Sequence, residues 1–367
     1  IIKYISKKEK LIDKILNKNN NGVLYKYSFL TNYSSLKKIN IFPKYKVKKI
    51  ATGGNHMLIL TNNNLVYTYG SNTFGQLGYK SNFNLPMIDR SYTFKCLNDI
   101  PNKFKIVDIS CGHAFSFLIS ENGNVLGFGC CEDGRLGINN DYYTKKIYKP
   151  TLLNFKYPIK KIQCGSTFSC FLSFDNLLYS CGNAPYHGLN ILQNVYTPTN
   201  IKFFNNKDVL DLSIHCSGYH TLVLTKNNNV YSFGHNRCFQ LGYDITDNDI
   251  DINYHHEIEE NIKLSKYIYI PYPKQIDFLI DKRVIKVSAG WGHSLILLFD
   301  GTVITCGRNS NGQCGVTKNN SITNSNNIVV SKINNLNNFS NSKDLLASNN
   351  NTVLKINDHH LKIVGSS

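Results

Sequence analysis

Short apolar runs recur along this chain, each followed by a polar turn and a second run that ends in glycine. Five segments align: Gly53-Gly-Asn-His-Met-Leu-Ile-Leu60, Gly112-His-Ala-Phe-Ser-Phe-Leu-Ile119, Gly165-Ser-Thr-Phe-Ser-Cys-Phe-Leu172, Ser217-Gly-Tyr-His-Thr-Leu-Val-Leu224 and Gly290-Trp-Gly-His-Ser-Leu-Ile-Leu297. The second runs, such as Tyr67-Thr-Tyr69, Val230-Tyr-Ser-Phe233 and Val303-Ile-Thr305, are rich in β-branched and aromatic residues and read as strands. Asn122-Gly123 and Asp300-Gly301 sit between paired runs as hairpin turns. The first runs are almost continuously apolar, as inner strands covered on both faces would be. A helical period stands out at most over Lys7 to Leu16.

The spacing inside each repeat is fixed. From His56 to Gly70 is 14 residues, and Phe115 to Gly129, Phe168 to Gly182, His220 to Gly234, His293 to Gly307 and Asn351 to Gly365 repeat that interval. Successive closing glycines lie 59, 53, 52, 73 and 58 residues apart, so insertions fall between repeats, where loops absorb them. A second signature begins five residues after the closing glycine: Gly75-Gln-Leu-Gly78, Gly134-Arg-Leu-Gly137 and Gly312-Gln-Cys-Gly315, with eroded copies at Phe239-Gln-Leu-Gly242 and His187-Gly-Leu-Asn190. Runs containing Pro150, Pro198 and Pro273 follow, as edge strands tolerate. Gly22-Val-Leu-Tyr-Lys-Tyr-Ser28 resembles Leu65-Val-Tyr-Thr-Tyr-Gly70, and Ile2 to Leu16 would supply the strands before it. The count is then seven units of about 1–36, 37–78, 79–137, 138–190, 191–242, 243–315 and 316–367, with insertions at 243–283 and 316–343. We read them as four-stranded antiparallel blades of one domain, 1–367.

Composition narrows the function. Hydrophobic residues make up 42% of the 367, which suffices for a core, and no apolar stretch of membrane-spanning length occurs. No secretory leader is visible in this segment. The formal charge is +17, carried by 36 Lys and only 5 Arg, in pairs such as Lys48-Lys49, Lys145-Lys146 and Lys160-Lys161 and not in a stripe. That favours a generic charged surface over a dedicated nucleic-acid face. The eleven Cys form no CxxC pair, and Cys111, Cys164 and Cys216 recur at similar repeat positions, which suits small buried thiols in a reducing nuclear or cytoplasmic compartment.

The pattern Gly-x-x-His-Ser-x-x-Leu, a turn, then Val-Tyr-x-x-Gly-x-x-x-x-Gly-Gln-Leu-Gly resembles the regulator-of-chromosome-condensation (RCC1-like) repeat family over nearly the whole chain. That resemblance implies an all-β fold, a seven-bladed β-propeller. Family members include guanine-nucleotide exchange factors for the GTPase Ran that also bind chromatin, and others are adaptors, ubiquitin-ligase modules or trafficking factors.

Candidate residues follow from the repeat. His56, His220 and His293 share a position with Phe115 and Phe168, so packing explains them better than metal binding. Gly70, Gly129, Gly182, Gly234 and Gly307 are backbone devices, as are Gly53, Gly112, Gly165 and Gly290, which follow what reads as a second strand. No phosphate loop, catalytic triad or zinc spacing has its context, so no catalytic, cofactor or metal site is expected. Trp291, the single Trp, and Tyr219, His113 and Asn55 occupy comparable loop positions and are the candidate partner contacts. Asp247, Asp249 and Asp251, in an acidic insertion, could meet a basic partner. The favoured function is a non-enzymatic, monomeric, protein-interaction scaffold. Exchange on a Ran-like GTPase is the alternative, and nucleic-acid or ribonucleoprotein binding a second.

Overall fold

The structure, a computed structural model, describes residues 2–4, 10–12, 24–30, 33–39, 46–80, 90–138, 145–243, 269–315, 331–332, 344–347, 352–355 and 361–364. Among these, strands form seven antiparallel sheets in which each strand pairs with the next in sequence. Sheet 1 holds β1 (Ile2–Tyr4), β2 (Lys10–Ile12), β3 (Leu24–Leu30) and β4 (Tyr33–Ile39). Sheet 2 holds β5 (Val47–Thr52), β6 (His56–Thr61), β7 (Val66–Ser71) and β8 (Arg90–Cys96). Sheet 3 holds β9 (Ile106–Cys111), β10 (Phe115–Ser120), β11 (Val125–Cys130) and β12 (Lys146–Leu152), and sheet 4 holds β13 (Ile159–Cys164), β14 (Phe168–Ser173), β15 (Leu178–Gly182) and β16 (Val195–Asn200). Sheet 5 holds β17 (Val209–Ile214), β18 (His220–Thr225), β19 (Val230–His235) and β20 (Tyr269–Gln275). Sheet 6 holds β21 (Val284–Ala289), β22 (His293–Leu298), β23 (Val303–Gly307) and β24 (Ser331–Lys332), and sheet 7 holds β25 (Asp344–Ala347), β26 (Thr352–Lys355) and β27 (Leu361–Val364).

Two expectations need adjusting. The helical alternative over Lys7 to Leu16 gives way, where it is described, to β2, which pairs with both β1 and β3. Gly53, Gly112, Gly165 and Gly290 follow the first strand of their sheets, not the second. The reason is that each sheet draws its fourth strand from beyond the Gly-Gln-Leu-Gly signature, so sheets and sequence repeats are offset by one strand. Those fourth strands carry Pro150, Pro198, Pro271 and Pro273, at a sheet edge where a missing N–H costs no ladder bond.

The chain divides into two compact units. Unit 1 is Ile1–Asn183 with Asn194–Asn200, and unit 2 is Ala184–Gln193 with Ile201–Ser367. Within unit 1, β9 packs on β5 and β6, and β13 packs on β9 and β10. Within unit 2, β21 packs on β17 and β18, and β25 on β21 and β22. This stacking explains the unbroken apolar runs, because β6, β10, β14, β18 and β22 are buried along their full length. Each core therefore lies between sheets. Leu58, Leu60, Ile109, Leu118 and Phe128 fill one, Phe117, Ile162 and Phe171 the next, and Leu224, Val287 and Ile296 a third.

The fixed interval of 14 is a pairing register. His56 lies opposite Gly70, Phe115 opposite Gly129, Phe168 opposite Gly182, His220 opposite Gly234 and His293 opposite Gly307. Asn351 and Gly365 lie outside the described residues, but their neighbours Thr352 and Val364 are paired. The closing glycine is obligatory. At Gly234 φ is +101°, and an added Cβ would lie 2.3 Å from the Tyr219 carbonyl oxygen.

Buried hydroxyls tie neighbouring sheets together. Ser116 Oγ of sheet 3 donates to the Gln76 carbonyl of sheet 2 (2.9 Å), and Ser169 Oγ of sheet 4 donates to the Arg135 carbonyl of sheet 3 (2.7 Å). In unit 2, Ser294 Oγ of sheet 6 donates to the Gln240 carbonyl that follows sheet 5 (2.6 Å). His56 Nε2 meets Ser116 Oγ and His220 Nε2 meets Ser294 Oγ, both at 2.9 Å. Each hydroxyl has already given its proton to a carbonyl, so each imidazole must donate from Nε2. Nδ1 of both rings is buried without a hydrogen-bond partner among the described residues. Burial accordingly pushes His56 and His220 from 6.5 down to about 3, and His293 to about 4.

Ser294→Ala removes the hydroxyl that satisfies both Gln240 O and His220 Nε2, and should cost about 2–3 kcal/mol by urea denaturation. A loss below about 0.5 kcal/mol would contradict the bridge. The histidines also set a pH dependence. A depressed folded pKa means the unfolded chain binds more protons below pH 6.5, so their contribution is intact above 6.5 and declines steadily toward pH 4. Urea midpoints should therefore fall between pH 7 and 5, and fall less in His220→Phe, whose ring is the one found at Phe115 and Phe168. Equal slopes in the two proteins would refute this.

Candidate functional site

Antiparallel order places the loop between the first and second strands of a sheet, and the loop after the third, at the same end. Those loops are rigid because their side chains staple them. Asn236 Nδ2 donates to the Tyr243 carbonyl, Asn236 Oδ1 accepts from Leu241 N and Gln240 Oε1 accepts from Cys238 N, each at 2.9 Å. The same bonds recur at Asn72 and Gln76, and in part at Asn309 and Gln313. The repeat alignment passes over the asparagines, although Gly70-Ser-Asn72, Gly234-His-Asn236 and Gly307-Arg-Asn309 show a constant offset.

In unit 2 the described loops at this end are aromatic and basic. Trp291 follows β21 and is 41% exposed. Arg308 N donates to the Gly292 carbonyl (2.8 Å), which continues the β22–β23 ladder and brings the guanidinium over the indole, 4.7 Å from its centroid. Arg308 Nε also donates to Ser310 Oγ at 2.8 Å. Tyr219, half-buried, packs on Tyr186 (4.9 Å between centroids) and on His235 (6.4 Å). Gln240 Nε2 lies 2.8 Å from His235 Nδ1. Burial, then the charge of Arg237, pushes His235 down from 6.5 and keeps it neutral near pH 7.

The other sequence candidates lie elsewhere. Asn55 and His113 are exposed in unit 1, on adjoining loops joined by the bond from Gly54 N to the His113 carbonyl (2.9 Å). There Arg135 is paired with Asp133 at 2.7 Å. Asp247, Asp249 and Asp251 lie outside the described residues. His56, Phe115, Phe168, His220 and His293 are fully buried at strand starts. Among the described residues no group of three His, Cys, Asp or Glu could hold a metal, and no helix is long and apolar enough to cross a membrane. All eleven cysteines are free thiols, and burial pushes Cys314 up to about 12, far from a reactive thiolate.

Stacked four-stranded sheets presenting rigid loops from their ends define a β-propeller built from repeats. The regulator of chromosome condensation (RCC1) repeat matches residues 47–76, 159–188, 213–240 and 284–313 in one form, and 63–119, 122–172 and 227–297 in another. These cover more than half of the chain, and the chain belongs to this repeat family. It is 25% identical over 274 residues to the ultraviolet-B receptor UVR8 of Arabidopsis thaliana, covering 74% of this chain and 55% of UVR8. It is 24% identical over 316 residues to the probable E3 ubiquitin-protein ligase HERC3 of Homo sapiens, covering 73% of this chain but 28% of HERC3. The chain thus spans about half or less of the length of these relatives. Among solved structures, Prp20p from Saccharomyces cerevisiae superposes with a TM-score of 0.70 at 17% identity, over 98% of this chain and 80% of Prp20p, and shares its seven-bladed propeller fold.

Trp291 is the only Trp, so its fluorescence reads this surface directly. Arg308→Ala should shift Trp291 emission to longer wavelength as the ring loses its cover, at a stability cost of no more than about 1 kcal/mol. Unchanged emission would mean that the stacked pair does not form in solution.

Proposed function

We propose that this chain is a non-enzymatic protein-interaction propeller whose binding residues are the strand-end loops. The observation that carries the reading is the stacked Trp291–Arg308 pair, with Arg308 on a loop stapled by Asn309 and Gln313 and Trp291 on a loop tied to it by the bond from Arg308 N to the Gly292 carbonyl. Aromatic and Arg side chains on pre-organised loops lose little entropy on binding and are frequent interface anchors. The site residues are Trp291 and Tyr219 in unit 2, with Asn55 and His113 on the corresponding loops of unit 1. The protein works as a monomer in a reducing nuclear or cytoplasmic compartment, as one propeller domain spanning 1–367.

A second reading is exchange activity on a Ran-like GTPase. It draws on the fold shared with yeast Prp20p, whose structure is described together with its binding to Gsp1p and histones. Chromatin or nucleic-acid binding through lysine has less support. Lys48 and Lys49 lie in β5 and Lys160 and Lys161 in β13, whereas Lys145 and Lys146 lie at the opposite end of unit 1. Lys49 and Lys145 are also paired with Asp108 and Glu132.

The immobilised full chain should capture a protein partner at defined stoichiometry from its own cell, identifiable by mass spectrometry, and should leave the rate of GDP release from Ran unchanged. Failure to retain any stoichiometric protein would reject the scaffold reading. Faster GDP release at catalytic amounts would replace it with exchange, and capture of nucleic acid with a steep salt dependence would replace it with nucleic-acid binding.

A further inference from the structure

One connection between sheets is shorter than its equivalents. Leu97 and Ile106 are nine residues apart, Ile201 and Val209 eight, and Ile276 and Val284 eight, but Leu153 and Ile159 only six. Each interval runs from the residue after a fourth strand to the first residue of the next sheet. The three longer connections close a turn. Phe104 N donates to the Pro101 carbonyl (2.9 Å), Phe204 N to the Ile201 carbonyl (3.0 Å) and Leu279 N to the Ile276 carbonyl (3.1 Å). Phe204 and Leu279 are buried in the core. The 153–158 connection makes no such turn. It is pinned to the β10–β11 hairpin at both ends, by Leu153 N to the Val125 carbonyl and Ile159 N to the Gly123 carbonyl, both at 2.9 Å. Between the pins, the connection and the 122–125 turn enclose a cleft of about 290 Å³.

The buried lining of this cleft is apolar and its exposed lining is mostly amide. Val125 and Leu153 are buried and Leu152 is 50% exposed. Phe155 is held against Phe171 (5.0 Å between centroids) and Tyr179 (5.9 Å). Asn122, Asn124 and Asn154 are exposed, and their side chains make no hydrogen bond among the described residues. The amides of Asn72, Asn236 and Gln240 are by contrast spent on stapling loops. Lys156 is the one charged residue of the lining, and its ammonium lies over the Tyr157 ring at 5.2 Å.

We propose that this cleft binds a short extended segment of a partner protein. One apolar side chain of the segment enters against Leu152, Leu153 and Phe155, and the flanking peptide groups bond to the amides of Asn122, Asn124 and Asn154. A carboxamide presents a donor and an acceptor in one plane, as a peptide group does, so unspent amides suit a polypeptide backbone. A single lysine is too little positive charge for a nucleic-acid strand. The volume lies at the lower end of the range for small-ligand sites, which fits one large side chain. Because the connection is pinned at both ends beforehand, binding loses little chain entropy. The inference rests on the interaction reading in taking a protein as the partner, and it adds a site in unit 1 at the end opposite Asn55 and His113.

The test follows backbone amide chemical shifts of the full, nitrogen-15-labelled chain. The probes are the blocked peptide acetyl-Ser-Thr-Leu-Thr-Ser-amide, its analogues with Phe or Gly in place of Leu, and glucose. The Leu and Phe peptides should give saturable shifts at Gly123, Asn124 and Asn154, and the Gly peptide should bind at least about tenfold more weakly. Asn122→Ala/Asn154→Ala should weaken the Leu peptide about tenfold with an unchanged thermal midpoint, since neither amide is bonded in the free protein. Asn205→Ala/Asn206→Ala, which removes two exposed amides from a connection that makes the turn, should change the affinity less than about twofold. Replacing residues 154–158 with the sequence of residues 277–283 restores the turn and should abolish binding; should that graft not fold, the alanine pairs still decide. Equal affinity for the Leu and Gly peptides, equal loss in both alanine pairs, or no shift at about 10 mM peptide would each overturn the proposal. Shifts with glucose and not with peptide would give the cleft to a sugar and defeat it too. If a partner captured by the chain binds Asn122→Ala/Asn154→Ala undiminished, the interaction reading stands and this inference falls.

Discussion

A buried hydroxyl donating across the gap between two sheets is the contact on which this architecture turns. A small sheet of six-residue strands has too little apolar area to persist in water by itself. Sheets 2 to 7 each gain their missing face from a neighbour within the unit, and Ser116, Ser169 and Ser294 fix the neighbour's distance and register by ending on a specific carbonyl. That carbonyl belongs to Gln76, Arg135 or Gln240, the second residue of the glycine signature. Around Gln76 and Gln240 the signature is therefore read by two partners at once: its backbone oxygen by the next sheet, and the N–H of Leu77 or Leu241 by the asparagine two residues past the closing glycine. Loops anchored at both places cannot drift, which is why side chains carried on them can act as preset contacts.

Much of this was legible in the sequence, for reasons that can be named. The constant spacing from ring to glycine is a pairing register seen in one dimension, and it predicts which residues face each other. The apolar runs identify the strands covered on both sides. Less legible was the source of the fourth strand, because β8, β12, β16 and β20 are largely half-exposed and are separated from the rest of their sheets by insertions of varying length. The bridging serines were visible only as a recurring small residue after the ring position, at Ser116, Ser169 and Ser294, since their partner lies in another sheet. The pairing of Trp291 with Arg308 follows from the register in hindsight. If His293 faces Gly307, the chain on either side brings residues 291 and 308 together. Phe239, with φ of +60°, was present as a broken repeat, a bulky residue where three aligned units have Gly75, Gly134 and Gly312.

Fold and activity separate in this family. The chain resembles in sequence an ultraviolet-B receptor and a probable ubiquitin-protein ligase, and shares its fold with the yeast protein Prp20p, while it covers only part of the first two. In this chain the strand-end loops of unit 2 are aromatic and cationic where described, and those of unit 1 carry internally paired charge. The histidines draw attention first as a set of potential ligands, but His56 and His220 are spent on the sheet bridges, and burial keeps both of them and His293 neutral.

The dependence of each sheet on its neighbour is tested most directly by native-state hydrogen exchange, read by mass spectrometry on peptides covering β18 and β22. The account predicts that these strands open together with one free energy, and that the urea dependence of both is the same. Exchange of β22 at a free energy well above that of β18, unaffected when β18 opens, would show that the sheets stand independently and that the hydroxyl bridges are incidental.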